Sequence, residues 1–207
     1  MTDELHPRSV VVWDVPSAIE CGRPFVIRLG VKCSAGCRPA SWPIEVRDAD
    51  GLTLASAALG DALWPGTAAL YYVDVELTAP PEVGLFGWEA IAPALGADAT
   101  DVAGHAQSRA AFNVRAVLPP ECRLTVIAID RARQEPVRGA KVVVHPYHAR
   151  TDANGVAELD LPRGQYRLFV SGKDFFPFRS DGELTADLTI RAELDLDLGP
   201  TDAETWS

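Results

Sequence analysis

The chain has 207 residues, of which 47% are hydrophobic, 23% charged and 8% aromatic; this is typical of a folded globular protein and excludes a fully disordered one. At about 100–150 residues per domain, the length allows one large domain or two small ones. The formal net charge of −10 argues against a basic nucleic-acid-binding face and against binding to anionic membrane surfaces.

The N-terminal half consists of short segments that alternate between apolar and polar residues. Residues 25–31 are β-branched and apolar, as in a buried strand. Asp50-Gly51 lies between two alternating runs and is typical of a hairpin turn. The other predicted strands of this half are 44–47, 52–54, 71–77, 87–91 and 111–117. About seven short strands separated by turns are typical of an immunoglobulin-like β-sandwich.

Helical patterns are weak throughout this half. Residues 54–63 are rich in Ala and Leu, but Gly60 and Pro65 limit any helix there to two turns. Residues 92–107 are small, polar and interrupted by glycine, which predicts a long loop.

The best domain boundary is the segment Leu-Pro-Pro-Glu at 118–121. Two successive prolines cannot extend a strand ladder and stiffen a short connector. The sequence therefore predicts a first domain at 1–117, a second at 122–198 and a polar tail at 199–207. The predicted strands after the connector are 122–129, 141–145, 155–161, 165–170 and 191–198. The predicted fold class is all-β, with two β-sandwich domains in tandem.

Four motifs of the second domain occur in a characteristic order. They are Pro-Val-Arg-Gly-Ala-Lys-Val at 136–142, Thr-Asp-Ala-Asn-Gly at 151–155, Leu-Pro-Arg-Gly-Gln-Tyr-Arg-Leu at 161–168 and Asp-Phe-Phe-Pro at 174–177. With these motifs the domain resembles the carboxypeptidase regulatory-like family of transthyretin-like and collagen-adhesin-B-like sandwiches. The resemblance implies a non-catalytic stabilising or adhesive module attached to another protein.

The pair Cys33 and Cys37 is the candidate metal site. A structural zinc site needs four ligands, so two more would have to come from Cys21 and a histidine such as His6 or His105. Two other interpretations are open: small residues that flank a turn, and a pair that oxidises to a labile disulfide. The turn is the preferred interpretation, and no cofactor is expected.

Aromatic residues supply the candidate partner-binding positions. Trp42 and Trp64 lie in loop-like, proline-containing segments, and the phenylalanines Phe169 and Phe178 are the candidates in the second domain. Packing of the tryptophans over a sandwich end, or between the two domains, is the preferred interpretation. Exposed tryptophans would also suit a carbohydrate-binding module.

Motifs typical of nucleophilic, phosphate-binding, dinucleotide-binding or metalloprotease sites do not occur in the sequence. We therefore expect a non-catalytic interaction or scaffolding protein, or an accessory subunit, that binds a protein partner; the oligomeric state is left open. The first residues are acidic and polar, and the apolar run at 10–13 is too short for an export signal or a membrane span. A cytoplasmic location with reduced cysteines is expected.

Overall fold

The computed structural model describes residues 5–96 and 104–197 and divides the chain into two compact units, Met1–Val117 and Leu118–Ser207. The strands of the N-terminal unit are β1 (Arg8–Trp13), β2 (Ile19–Glu20), β3 (Pro24–Cys33), β4 (Pro43–Arg47), β5 (Thr53–Ala58), β6 (Tyr71–Thr78), β7 (Gly84–Ala92) and β8 (Ser108–Val117). The strands of the C-terminal unit are β9 (Cys122–Asp130), β10 (Lys141–Val144), β11 (Tyr147–Arg150), β12 (Val156–Leu161), β13 (Gly164–Ser171), β14 (Phe178–Leu184) and β15 (Leu188–Leu194). The predicted all-β class with two sandwiches is confirmed, since the described residues contain strands and no helix.

The N-terminal unit packs two sheets face to face. One has the strand order β1-β3-β6 and the other the order β2-β8-β7-β4-β5. Alternating residues of β3 (Ile27, Leu29 and Val31) are fully buried, and they pack with Val114 of β8 in one core cluster. Every second side chain of a strand points to the same face, so these residues form the face that lies in the core.

The segment predicted to allow a short helix is a strand instead. Residues Thr53–Ala58 pair with β4 in antiparallel register. Small residues such as Ala fit either element, and here the neighbouring strand decides the outcome. The predicted loop at 92–107 begins after β7; its residues 97–103 lie outside the described part of the chain.

The C-terminal unit also contains two sheets, with strand orders β11-β10-β13-β14 and β12-β9-β15. Strand β9 is central in its sheet and pairs antiparallel with β12 and parallel with β15. Its core residues Leu124 and Val126 are fully buried and pack in one cluster with Leu168 and Val170 of β13.

The Thr151 side chain holds the backbone of the segment that precedes β10. The hydroxyl donates a hydrogen bond to the Val137 carbonyl at 2.6 Å and accepts one from the Ala140 amide at 2.8 Å. Thr151 is only 4% exposed, so both backbone groups depend on this hydroxyl rather than on water.

The turn that follows uses Asp152 and Gly155. One carboxylate oxygen of Asp152 accepts hydrogen bonds from the amides of Asn154 and Val156 at 2.8 and 2.9 Å. The bond from Val156 is the largest cause of a pKa of Asp152 below its usual value. Gly155 has a φ of +75°, and a β-carbon there would lie 2.5 Å from the Ala128 carbonyl oxygen. Only glycine therefore fits at this position.

Within the described residues, no helix is long and apolar enough to cross a membrane.

Candidate metal centre

Four side chains of the N-terminal unit bring metal-binding atoms together at one end of the sandwich. They are His6, Cys33, Cys37 and His105, and their donor atoms all lie within 4.8 Å of one another. His6 Nδ1 lies 3.2 Å from Cys37 Sγ. The cluster therefore combines two sulfur and two imidazole nitrogen donors.

The two cysteines are positioned by the end of β3 and the turn that follows it. Cys33 is the last residue of β3, and the Gly36 amide donates a hydrogen bond to its carbonyl at 3.2 Å. Gly36 has a φ of +75°, which reverses the chain and returns Cys37 toward Cys33. The Ser34 amide donates to the Pro7 carbonyl at 3.1 Å and so ties the turn to the N-terminal segment.

The two histidines are positioned by backbone pairing outside the named strands, in which His6, just before β1, lies next to His105. The His6 amide donates to the Gly104 carbonyl at 2.9 Å, and the Ala106 amide donates to the His6 carbonyl at 3.1 Å. On the other side, His105 and Leu95 exchange backbone hydrogen bonds of 2.8 and 3.0 Å. His105 is thus fixed between two segments, and three separate parts of the chain supply the four donors.

The centre is largely shielded from solvent. Cys33 is 1% exposed and His105 is fully buried, whereas His6 and Cys37 are partly buried. The Trp42 ring covers His105, with 4.2 Å between the ring centroids. A low-dielectric surrounding of this kind strengthens the interaction between a cation and its ligands.

A buried arginine lies next to the cluster. Arg8 is directly opposite Cys33 in the antiparallel pairing of β1 and β3, and it is only 7% exposed. Burial lowers the pKa of the Arg8 guanidinium, and the nearby Cys33 opposes this effect. Its side chain donates hydrogen bonds to the carbonyls of Ala92, Pro93 and Ala106.

The donor set and its spacing fit a tetrahedral zinc ion. With zinc–sulfur bonds near 2.3 Å and zinc–nitrogen bonds near 2.0–2.1 Å, the ligand atoms of such a site lie about 3.3–3.8 Å apart. The donors of the cluster are within 4.8 Å, so shifts of about an ångström would close them around one ion. Cys21, which the sequence suggested as a further ligand, lies outside the cluster, and both histidines take part instead.

No protein-family model and no curated protein matches the chain. Among solved structures, the major pilin subunit BcpA of Bacillus cereus is 12% identical and superposes with a TM-score of 0.31, covering 90% of this chain and 69% of the pilin. Salmonella alpha-2-macroglobulin reacted with methylamine is 11% identical with a TM-score of 0.36, covering 95% of this chain and 15% of its own.

A third similar structure is the pilus adhesin RrgA from Streptococcus pneumoniae. It is 12% identical with a TM-score of 0.29, covering 76% of this chain and 29% of the adhesin. This chain therefore spans a small part of the macroglobulin and of the adhesin. At such TM-scores these likenesses are no basis for assigning a function.

The candidate partner-binding tryptophans have different surroundings. The candidate contact Trp42 needs correction, because this residue is only 8% exposed and its ring packs against His105 inside the unit, as the packing interpretation expected. Trp64 is partly exposed, but the Arg28 guanidinium covers its ring at 4.8 Å and Trp13 meets it edge-on at 4.9 Å. Trp64 therefore does not offer a bare flat platform for a sugar.

The candidate phenylalanines of the C-terminal unit also differ. Phe169 is partly exposed on β13, with the Arg179 guanidinium 5.4 Å from its ring centre. Phe178 packs against the core of the unit. Of these two rings, Phe169 is the better placed to contact a partner.

Proposed function

We propose that the chain is a non-catalytic interaction or scaffolding protein whose N-terminal sandwich is stabilised by one structural zinc ion. The observation that carries the metal site is the convergence of His6, Cys33, Cys37 and His105 within 4.8 Å. Their positions in three separate segments mean that one ion would link parts of the chain that are distant in sequence. Such a link stabilises the folded state because the unfolded chain does not hold the four donors together.

The donor chemistry favours zinc over other common ions. Calcium and magnesium prefer oxygen ligands, and the cluster contains none. Two thiolates with two imidazoles in a tetrahedral arrangement are typical of structural zinc.

The same arrangement supports a non-catalytic role for the ion. Catalytic zinc has three protein ligands and keeps one position open for water or substrate. Here four protein donors would fill the tetrahedral shell, and two of them, Cys33 and His105, are buried. The proposed ion would therefore hold the structure rather than activate a substrate.

The interaction role assigns Trp64 and Phe169 as contacts for a protein partner. Each ring is partly exposed and has an arginine, Arg28 or Arg179, against one face. Aromatic and arginine side chains are enriched in protein–protein interfaces. We place the protein in the cytoplasm, where reducing conditions keep cysteines available as thiolate ligands.

For the C-terminal unit we propose membership of the carboxypeptidase regulatory-like group. The support is the ordered motif series together with a sandwich in which the Thr151–Gly155 motif forms a hydrogen-bonded turn. In such proteins a module of this type supports a neighbouring part, which agrees with a scaffolding role.

Elemental analysis of tag-free protein tests the metal proposal. We expect about one zinc per chain in the parent protein and in Cys21→Ser, whose cysteine lies outside the cluster. Cys37→Ser should lose most of the zinc. Equal zinc contents in the two serine variants would contradict the assignment.

Affinity capture with crosslinking in the native cells tests the interaction role. A specific partner should be captured less well by Trp64→Ala or Phe169→Ala. The control Val26→Ala also shortens an exposed apolar side chain, 51% exposed in the parent. A chain that remains a monomer and crosslinks to no other protein would argue against the role.

A further inference from the structure

Arg8 is an unusual residue for the interior of a β-sandwich because it carries a permanent charge and is only 7% exposed. Burying a guanidinium costs free energy unless hydrogen bonds and nearby negative charge compensate it. Three backbone carbonyls accept hydrogen bonds from Nε and Nη2 of Arg8, and they lie around the metal centre.

Most of the donors bind the segments next to His105. Arg8 Nε donates to the Ala106 carbonyl at 2.9 Å, and Nη2 donates to the carbonyls of Ala92 at 3.0 Å and Pro93. Ala106 directly follows His105, and Ala92 and Pro93 lead into the strand segment that pairs with His105. The Arg8 side chain therefore binds both the residue that follows His105 and the segment that pairs with His105.

The remaining nitrogen of Arg8, Nη1, is buried and has no hydrogen-bond partner in the described part of the chain. Arg8 and Cys33 are directly opposite each other on neighbouring strands, and both side chains are buried. Such cross-strand neighbours have Cβ atoms about 4.5–5.5 Å apart. A metal-bound thiolate at Cys33 would supply the negative charge that this guanidinium otherwise lacks.

We propose that Arg8 is the positioning residue of the metal centre: through three carbonyls it holds the His105 segment and the segment that pairs with it, and it stabilises the negatively charged sulfur of Cys33. This inference rests on the proposed zinc site. Residues of this outer shell orient the ligands and typically change metal affinity 10–100-fold when they are replaced.

Trp42 completes the arrangement. The Arg8 guanidinium lies 5.4 Å from the centre of the Trp42 ring, and the same ring packs against His105 at 4.2 Å. Arg8 therefore acts on His105 through the backbone on one side and through this ring on the other. A loss of Arg8 should change the geometry of the ligands as well as the stability of the fold.

The test compares Arg8→Met and Arg8→Lys with the control Arg28→Met in the full chain. Arg28 lies on β3, as Cys33 does, and also stacks on a tryptophan, but it is ion-paired with Asp74 away from the cluster. Zinc affinity is measured by competition with a chromogenic chelator. Cobalt(II) titration supplies a second readout, since sulfur-to-cobalt charge-transfer and ligand-field bands report the ligand geometry.

We expect Arg8→Met to bind zinc about 10–100-fold more weakly and to alter the cobalt spectrum. Arg8→Lys, which keeps the charge but not the planar donor fork, should recover part of the affinity. Arg28→Met should match the parent protein in both readouts.

Parental affinity and an unchanged cobalt spectrum in Arg8→Met would overturn the inference even if its melting temperature fell. If Arg8→Met does not fold, a zinc affinity of Arg8→Lys within twofold of the parent overturns it instead. A parent protein that binds neither zinc nor cobalt would refute the proposed zinc site itself, and the role of Arg8 with it.

Discussion

Removal of zinc should lower the melting temperature of the N-terminal unit, and Cys37→Ser should behave like the metal-free protein. Cys37 suits this test because it lies in the turn after β3 and is only partly buried. Replacing sulfur by oxygen there removes a ligand with little loss of packed volume. The expected effect is therefore the loss of the ion and not a cavity in the core.

The size of the effect follows from linkage between binding and folding. Free zinc at 1,000 times its dissociation constant stabilises the folded state by about 4.1 kcal/mol. For a unit spanning Met1–Val117, about 1 kcal/mol corresponds to roughly 4 °C in melting temperature. We therefore expect a decrease of about 15 °C on full removal of zinc.

Differential scanning calorimetry of the tag-free protein, with saturating zinc or with an excess of chelator, measures this shift. The parent protein and Cys21→Ser should both respond to the chelator. Cys37→Ser should melt at the lower temperature in either condition. All four donors belong to the N-terminal unit, so the shift is expected in the transition of that unit.

Two results would refute the reasoning. One is a parent protein whose melting temperature is the same with zinc and with chelator. The other is a Cys37→Ser variant that zinc stabilises as strongly as it stabilises Cys21→Ser.

Three further predictions concern the turn before β12. Thr151→Val should destabilise the protein by about 1–3 kcal/mol in urea unfolding, because it leaves a buried carbonyl and a buried amide without their hydroxyl partner; a change below about 0.5 kcal/mol would contradict this. Gly155→Ala should lower the free energy of unfolding more than Gly139→Ala does. Both glycines have positive φ, but only Gly155 has a backbone oxygen where the β-carbon would lie. Equal unfolding free energies of the two variants would contradict the steric argument. The pKa of Asp152 is lowered in the folded state, so its carboxylate stabilises the fold above the unfolded pKa near 4. This stabilisation is lost as the pH falls through the lower folded pKa. Asp152→Asn should therefore flatten the pH dependence of stability in this range, as measured by urea unfolding from about pH 5 to 2.

The sequence offered Cys33 and Cys37 as a candidate metal pair, with a structural turn as the preferred interpretation. Cys33 and Cys37 are recognisable because their spacing places two thiols on one turn. His6 and His105 could be named only as possible partners, since they come from opposite ends of the unit and meet through backbone pairing that no local pattern encodes. The burial of Arg8 was missed for the same reason: a single arginine at the start of a strand carries no signal of burial.

The strands show the same division between local and long-range information. Strongly alternating segments such as 71–77 were predicted, and they correspond to β6. Strand β14 was not, because its sequence is polar and contains Asp181-Gly182, a typical turn pair. In the structure Gly182 pairs with Tyr166 of β13, and the ring lies where a β-carbon of Gly182 would be. The pairing of residues 178–184 with β13 therefore holds this segment as a strand.

Trp42 illustrates how environment decides the use of a residue. Its neighbour Pro43 made a loop position plausible, and the chain does bend there before β4. The ring nevertheless turns inward, because a histidine and an arginine near the end of the sandwich provide surfaces for it.

The ladder that joins His6 to the residues around His105 also has a consequence for synthesis. A ribosome releases His6 early and His105 only when most of the N-terminal unit has emerged. A nascent chain therefore cannot complete the four-donor set until the strands between these histidines are available to fold. Tight zinc binding would then become possible only after the unit has been synthesised through His105. Truncated chains that end before this residue would keep thiols without a bound ion.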